Sequence, residues 1–114
     1  MEQHFLKNIE FSKATELGSL VEYQQGQVVS RTLVQNKAVS VTLFAFDNGE
    51  EISTHASKGD AMVFLLDGQA EITIGDQHYE VKKGQVIVMP ANIPHALFAK
   101  ERFKMILTVV FGID

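Results

Sequence analysis

The chain lacks cysteine and tryptophan, and only two prolines occur among its 114 residues. Without cysteine, the protein cannot form disulfides, bind a metal through thiolates or use a cysteine nucleophile. The chain also lacks a strong excess of either charge, since its formal net charge is −4. Its basic residues are scattered, and Lys82-Lys83 is the single adjacent basic pair. A surface that follows a phosphate backbone needs a denser basic stripe. We therefore expect no nucleic-acid partner.

Long apolar runs are absent as well. The longest, residues 61–66, 86–91 and 105–111, are too short to span a bilayer. The first seven residues have neither the basic start nor the apolar stretch of a secretory signal. We expect no membrane partner and a cytoplasmic protein. Hydrophobic residues make up 46% of the chain, enough for the core of one domain that spans residues 1–114.

From about Gln27 onward, short segments rich in β-branched and aromatic residues alternate with Gly-containing turn signals such as Asp67-Gly68 and Gly75-Asp76. Regular short strands with such turns predict an all-β sandwich or barrel. The predicted strands before residue 90 are 28–34, 39–46, 61–66, 70–74, 78–81 and 85–89.

The first 25 residues have a different pattern. Ser12 to Leu17, followed by Gly18, predicts one short helix with Ser12 as its N-cap. The preceding segment, Phe5 to Phe11, is expected to form an extended arm that packs on the barrel. The chain then divides into an N-terminal arm with a helix, residues 1–25, and a β-barrel, residues 26–114.

Two segments bounded by turn residues each contain one histidine. Their spacing resembles the two sequence motifs of the cupin superfamily, G-x5-H-x-H-x(3,4)-E-x6-G and G-x5-P-x-G-x2-H-x3-N. The resemblance covers residues 49–99 and implies a double-stranded β-helix, or jelly-roll barrel. The matching residues are Gly49, His55 and Gly68 in the first motif, and Gly84, Pro90 and His95 in the second.

The resemblance also implies a divalent-metal site with an incomplete ligand set. In cupins, two histidines and the acid of the first motif bind the metal together with the histidine of the second. This chain keeps His55 and His95 but has Ser57 and Ala61 at the other two positions. A hydroxyl is a poor ligand for a first-row divalent ion, and alanine is no ligand. The resemblance therefore implies a metal-free pocket, or a weakly held Zn, Ni, Mn or Fe ion on the two histidines.

Two nearby carboxylates are alternatives for a third metal ligand. Asp60 follows Gly59 at a turn, which it is expected to cap. Glu51 lies near the start of a strand, where we expect it to be solvated.

Strand alternation predicts which side chains share the barrel interior with the two histidines. Such an interior is apolar with two imidazoles near one end, and it suits a small molecule with one polar or anionic group. The alternative is that these side chains simply fill the barrel as core. The predicted ligand-binding residues are His55, Ser57, Ala61, Val63, Leu65, His95, Leu97, Met105 and Leu107.

The segment from Ala61 to Leu66 has no polar alternation, so both of its faces should be buried. Its outward side chains, Met62, Phe64 and Leu66, need a cover. The N-terminal arm is one candidate. A second subunit is the other, and we expect a symmetric homodimer.

Three functions remain open from the sequence. The first is a small barrel protein that binds a small organic ligand in the barrel, with His55 and His95 as polar anchors and with or without a weakly held divalent ion. The second is a metal-dependent enzyme, since enzymes that resemble this chain include dioxygenases, isomerases and decarboxylases. The third is a structural or sensory dimer module without catalysis. The fold alone does not separate these functions.

Overall fold

The computed structural model describes residues 3–112, in which the regular structure is β-strand apart from one short 3-10 helix. This confirms the all-β prediction. Each strand contains β-branched or aromatic residues, which fit a half-buried pleated surface. The eight strands are β1 (Val28–Gln35), β2 (Val39–Phe46), β3 (Glu51–His55), β4 (Asp60–Ile74), β5 (Gln77–Lys82), β6 (Val86–Met89), β7 (His95–Phe98) and β8 (Phe103–Val110).

The long strand β4 belongs to two sheets. Its first half, residues 60–68, pairs with β8 and β6, whereas residues 69–74 pair with β7 and β5. The first sheet therefore has the order β1-β2-β8-β4-β6, and the second has the order β3-β7-β4-β5. Every pairing is antiparallel, and the sheet curls into the jelly-roll barrel that the sequence predicts.

The turn predicted at Asp67-Gly68 is wrong, because β4 continues through it. The register with β8 shifts between Leu65 and Asp67, which marks a bulge. Gly68 has a φ of 72°, and a Cβ there would overlap the carbonyl oxygen of Arg102. Glycine is therefore needed to bend one strand from the first sheet into the second.

The N-terminal segment contains the predicted short helix at a different position. It is a 3-10 helix from Leu17 to Leu20, not Ser12 to Leu17. Ser12 has a φ of 57°, which is incompatible with the extended backbone of an N-cap. Leu17 and Leu20 pack against the outer face of the first sheet, and these contacts outweigh local helix preference. No helix within residues 3–112 is long and apolar enough to cross a membrane.

The arm before this helix lies along β1. The Lys7 amide donates to the Leu33 carbonyl at 2.8 Å, and Ile9 joins the apolar cluster that includes Leu66. The arm and helix thus cover part of the outer face. Met62 and Phe64 stay 44% and 38% exposed on the same face.

Inside the barrel, one end is filled by large side chains. The rings of Phe46 and Phe103 stack with centroids 4.3 Å apart, and Val63 and Leu65 pack in the same cluster with no solvent exposure. Burying each such aliphatic side chain contributes about 1.5–3 kcal/mol to folding. This end of the interior therefore has no space for a ligand, and a candidate site must lie at the other end.

Candidate functional site

The other end of the interior contains a cavity of about 310 Å³. Its walls come from the inner faces of β3, β4, β6, β7 and β8 and from the loop after β3. The volume lies near the lower limit of natural ligand pockets. Seven residues predicted from the sequence line it: His55, Ser57, Ala61, His95, Leu97, Met105 and Leu107.

Val63 and Leu65 do not line the cavity. They lie on the inner face of β4, as alternation predicts, but are fully buried in the packed core. The reason is the direction of β4, which runs from the cavity at Ala61 toward the filled end. Val63 and Leu65 therefore lie on the same face of β4 as Ala61 but outside the cavity.

Further side chains complete the wall. Met89 is paired with Ala61 across β4 and β6, and Ile52 is paired with Leu97 across β3 and β7. Their partners, Ala61 and Leu97, were predicted to line the pocket. Met89 and Ile52 were missed because the sequence does not show which strands pair. The remaining wall residues are Ala56 and Val109, the latter on the inner face that Met105 and Leu107 share.

The two histidines meet at one side of the cavity. His55 ends β3, His95 begins β7, and the register places them directly opposite each other. Their Nε2 atoms lie 3.2 Å apart, with ring centroids 4.4 Å apart and planes inclined by 73°. His95 is 3% exposed, whereas His55 is open to solvent. One imidazole therefore lies inside the chamber and the other at its mouth.

The number of ring protons limits what this pair can do. The Nδ1 of His55 lies 3.0 Å from the Ser53 carbonyl, and the Nδ1 of His95 lies 3.2 Å from the Ile93 carbonyl. Carbonyl oxygens only accept hydrogen bonds, so each Nδ1 must donate. The two Nε2 atoms also lie within hydrogen-bond distance of each other. Satisfying all three contacts therefore takes three ring protons, one more than two neutral rings have.

Burial favours the neutral form of the inner ring. Desolvation lowers the pKa of His95, and the neighbouring His55 lowers it further, while the Ile93 carbonyl acts in the opposite direction. An added proton would place a charge in an apolar chamber that has no carboxylate among the described residues of its wall.

The other candidate ligands are used elsewhere. The Ser57 hydroxyl accepts the Gly59 amide at 3.1 Å, and Asp60 accepts the Ala91 amide at 2.9 Å. Asp60 thus caps the loop before β7 rather than its own turn, which corrects the expectation. Glu51 is exposed, as expected.

The residues present do not make a complete metal site. Within residues 3–112, no group of three or more His, Asp or Glu side chains could hold an ion. The facing Nε2 atoms of His55 and His95 can serve as two ligands of one ion, while structural and catalytic zinc sites have three or four protein ligands. The remaining positions would have to come from water or from a bound molecule.

The fold and this cavity define a small antiparallel jelly-roll barrel with a histidine pair at the mouth of its interior. The cupin domain model Cupin_2 matches residues 42–111, which is more than half of the chain. The chain belongs to this family, which confirms the resemblance seen in the motifs.

Two solved structures extend the comparison. The conserved protein SPY1581 of unknown function from Streptococcus pyogenes is 49% identical, with a TM-score of 0.96 and 98% of each chain covered. A cupin superfamily protein from Desulfitobacterium hafniense is 36% identical, with a TM-score of 0.89, covering 94% of this chain and 98% of that one. The family and fold are thus shared.

A curated relative covers less of the chain. The uncharacterized protein SCO3923 from Streptomyces coelicolor is 32% identical over 62 residues, which is 54% of this chain and 59% of that protein. The match thus spans about three fifths of the relative's length. None of the three names specifies a ligand or a reaction.

Proposed function

We propose that this protein binds a small, largely apolar organic molecule in the barrel cavity, with His55 and His95 holding its polar end. The observation that carries the proposal is the position of two facing imidazole nitrogens at one side of a chamber lined by hydrocarbon and thioether groups. A chamber of this kind, with a few convergent polar groups, is typical of small-molecule sites.

The apolar wall supplies the binding energy in this proposal. Leu97, Met105 and Leu107 would contact the body of the ligand, with about 0.8 kcal/mol for each buried methylene. Met105 can adapt to ligand shape because its side chain is unbranched and polarizable. Ala61 matters by its small size, which leaves the space that a larger residue would fill.

A divalent ion is a secondary proposal. Zn, Ni, Mn or Fe would be held by the Nε2 atoms of His55 and His95, and would supply a Lewis acid at the mouth of the cavity. With two protein ligands, the affinity should be weak.

Metal content after dialysis tests the secondary proposal. The protein is loaded with each ion, dialysed against buffer and analysed by plasma mass spectrometry. We expect well under one ion per chain. Near-stoichiometric metal that disappears in His95→Ala would contradict weak binding and would require a further ligand.

A metal-dependent enzyme of the dioxygenase, isomerase or decarboxylase type is the second candidate function. The facing Nε2 atoms favour it, because open coordination positions would remain beside them. It ranks below ligand binding because no acid or base other than the two imidazoles lines the described part of the cavity. A binding or sensory role without catalysis agrees with the leading proposal.

Ligand binding is tested with a fragment library observed by ligand-detected NMR. We expect hits that bind wild type and lose about tenfold or more affinity in His95→Ala, because a polar anchor is removed. His78→Ala is the matched control, since His78 is an exposed histidine bonded to Thr73 outside the cavity. Absence of any hit, or equal loss in both variants, would contradict the proposal.

We also propose that the protein forms a homodimer through the uncovered part of the first sheet's outer face. Met62 and Phe64 pair there with Val88 and Val86, and all four side chains are exposed. Within residues 3–112, strand β6 pairs only with β4, and it contains no charged residue, so its other edge is also available. An exposed apolar edge strand is a template for pairing with another chain.

Analytical ultracentrifugation tests the dimer. Wild type should sediment as a dimer at micromolar concentration, and Val88→Lys should sediment as a monomer. Phe98→Lys is the control, because Phe98 is exposed on the second sheet between Glu51 and Glu71, which suit a lysine. A monomeric wild type would contradict the proposal.

The cytoplasmic location stays a prediction.

A further inference from the structure

Two methionines lie on the wall of the cavity, and they come from different strands. Met89 ends β6 and Met105 lies on β8, and both are buried, with 1% and 0% exposure. The registers place Met89 opposite Ala61 and Met105 opposite Leu65, and these two partners lie four residues apart on β4. The two methionine side chains therefore start from the wall at different depths of the chamber.

The same wall supplies no phenyl or phenol ring. Among the described residues that line the cavity, none is Phe, Tyr or Trp, although the filled end of the same interior contains the stacked rings of Phe46 and Phe103. A thioether sulfur is polarizable and makes favourable contacts with an aromatic ring at about 5 Å, often at the ring edge. The chamber thus has two partners for such a ring but no ring of its own to pair with them.

The size of the chamber fits one ring. Its volume of about 310 Å³ is roughly twice that of an engineered apolar cavity of about 150 Å³ that holds benzene. One six-membered ring with a short polar substituent can therefore fill it, with the substituent directed to the histidines at its side. A ring also loses less conformational freedom on binding than an alkyl chain, which must be ordered along its length.

We infer that the body of the ligand is a single aromatic ring and not an alkyl chain or a saturated ring. Met89 and Met105 are then the specificity-determining residues, since their sulfurs contact a ring in a way that the aliphatic wall residues do not. The inference rests on the proposed function and names the class of its organic ligand. It does not depend on the ring protons or the metal occupancy of His55 and His95, because the thioether contacts involve neither.

A matched pair of ligands tests the inference. Benzyl alcohol and cyclohexylmethanol have the same hydroxymethyl group and the same number of non-hydrogen atoms, and they differ in the ring. Because the saturated ring has more apolar surface, hydrophobic burial alone would favour cyclohexylmethanol. We expect benzyl alcohol to bind about threefold tighter or better in a chemical-shift titration with EDTA present to remove metal. The hydroxyl both donates and accepts hydrogen bonds, so the comparison holds for either tautomer of the histidines.

Leucine substitutions identify the origin of the preference. Met89→Leu combined with Met105→Leu keeps the side-chain volume nearly constant but removes both sulfurs, so benzyl alcohol should lose its advantage. Met62→Leu is the matched control and should retain the preference, because Met62 is exposed on the outer face of β4. A double variant that still prefers benzyl alcohol would overturn the inference.

Labelled methionine methyl groups give a readout in the wild-type protein. An aromatic ring shifts the resonance of a methyl group beside it. Benzyl alcohol should therefore shift the ¹³C-methyl signals of Met89 and Met105 much more than cyclohexylmethanol does, while the signal of the outward Met62 stays in place. Equal shifts with the two ligands would contradict contact between the ring and the thioethers and would overturn the inference.

The outcomes separate this inference from the proposed function. If the two molecules bind equally, or cyclohexylmethanol binds tighter, the aromatic inference is overturned while ligand binding stands. If neither molecule binds at millimolar concentration, the inference fails, and the fragment library decides separately on the proposed function.

Discussion

The two ends of the barrel interior are built by the same strands but differ in what fills them. On β8, Phe103 packs against Phe46 at the filled end, while Leu107 faces the cavity. On β4, the same change occurs between Leu65 and Ala61. The alternation pattern is equal at both ends. The size of the inward side chains, not the pattern, therefore determines where the barrel holds a cavity.

The polar contacts at the two ends of the barrel also have different roles. At the filled end, Asp47 accepts the Arg102 Nε at 2.8 Å and the Gly26 amide at 2.7 Å, which ties the chain before β1 to the barrel. At the open end, the Asn92 amide donates to the Ser57 carbonyl at 2.7 Å and joins the two loops that frame the mouth. One set of contacts closes the barrel, and the other holds the rim of the site.

The largest expected effect comes from truncating the filled end. Phe103→Ala should lower the free energy of unfolding by about 3–5 kcal/mol, because it opens a void in a fully packed region. Leu107→Ala enlarges a cavity that already exists and should cost less, about 2 kcal/mol. Urea unfolding of both variants measures the difference. Equal losses of the free energy of unfolding would contradict the description of one end as packed and the other as containing a cavity.

A smaller change in stability is expected from filling the open end. Ala61→Leu should leave stability unchanged or raise it by up to about 1 kcal/mol, because the added carbons enter empty space. Binding of any cavity ligand should fall about tenfold or more, as titration would show. Met62→Leu, on the outer face of the same strand, is the control. A loss of stability in Ala61→Leu would mean that the cavity is smaller than described.

The pH dependence of stability sharpens the contrast at the filled end. Hydrogen bonds from the Gly26 amide and from Arg102 lower the pKa of Asp47 from 3.8 to about 2. Because the folded pKa lies below the unfolded one, Asp47 adds stability above pH 3.8, and this stability is lost as the pH falls toward 2. Unfolding of wild type between these pH values should show this loss.

The matched variant for this prediction is Asp47→Asn. It should be less stable than wild type at neutral pH, and the gap should shrink as the pH falls through about 2, where the wild-type carboxylate becomes protonated. A gap that is constant with pH would show that the Asp47 carboxylate does not titrate as described.

Local sequence signals predicted most of the strands, and the resemblance to the cupin motifs implied that the two histidines meet. Alternation identifies inner and outer residues on β4, and the paired motifs place His55 and His95 at the two strand ends that meet in the barrel. Alternation depends on short-range spacing and needs no knowledge of which strands are neighbours. The meeting of the histidines depends on the pairing of β3 with β7, which the resemblance implied.

What the sequence did not predict depends on long-range contacts. Met89 lines the cavity because β6 pairs with β4, and Gly68 bends β4 because the Arg102 carbonyl approaches it. The helix begins at Leu17 because that side chain packs on the first sheet. None of these contacts is visible in a local pattern, since each joins residues far apart in the chain.

A high-resolution crystal structure of the protein alone tests the central claim most directly. The account predicts two imidazoles whose Nε2 atoms lie within about 3.5 Å at the mouth of a chamber that no side chain occupies. Rings that point to opposite sides of the barrel would contradict it, and so would a chamber filled by Met89, Met105 or Leu107.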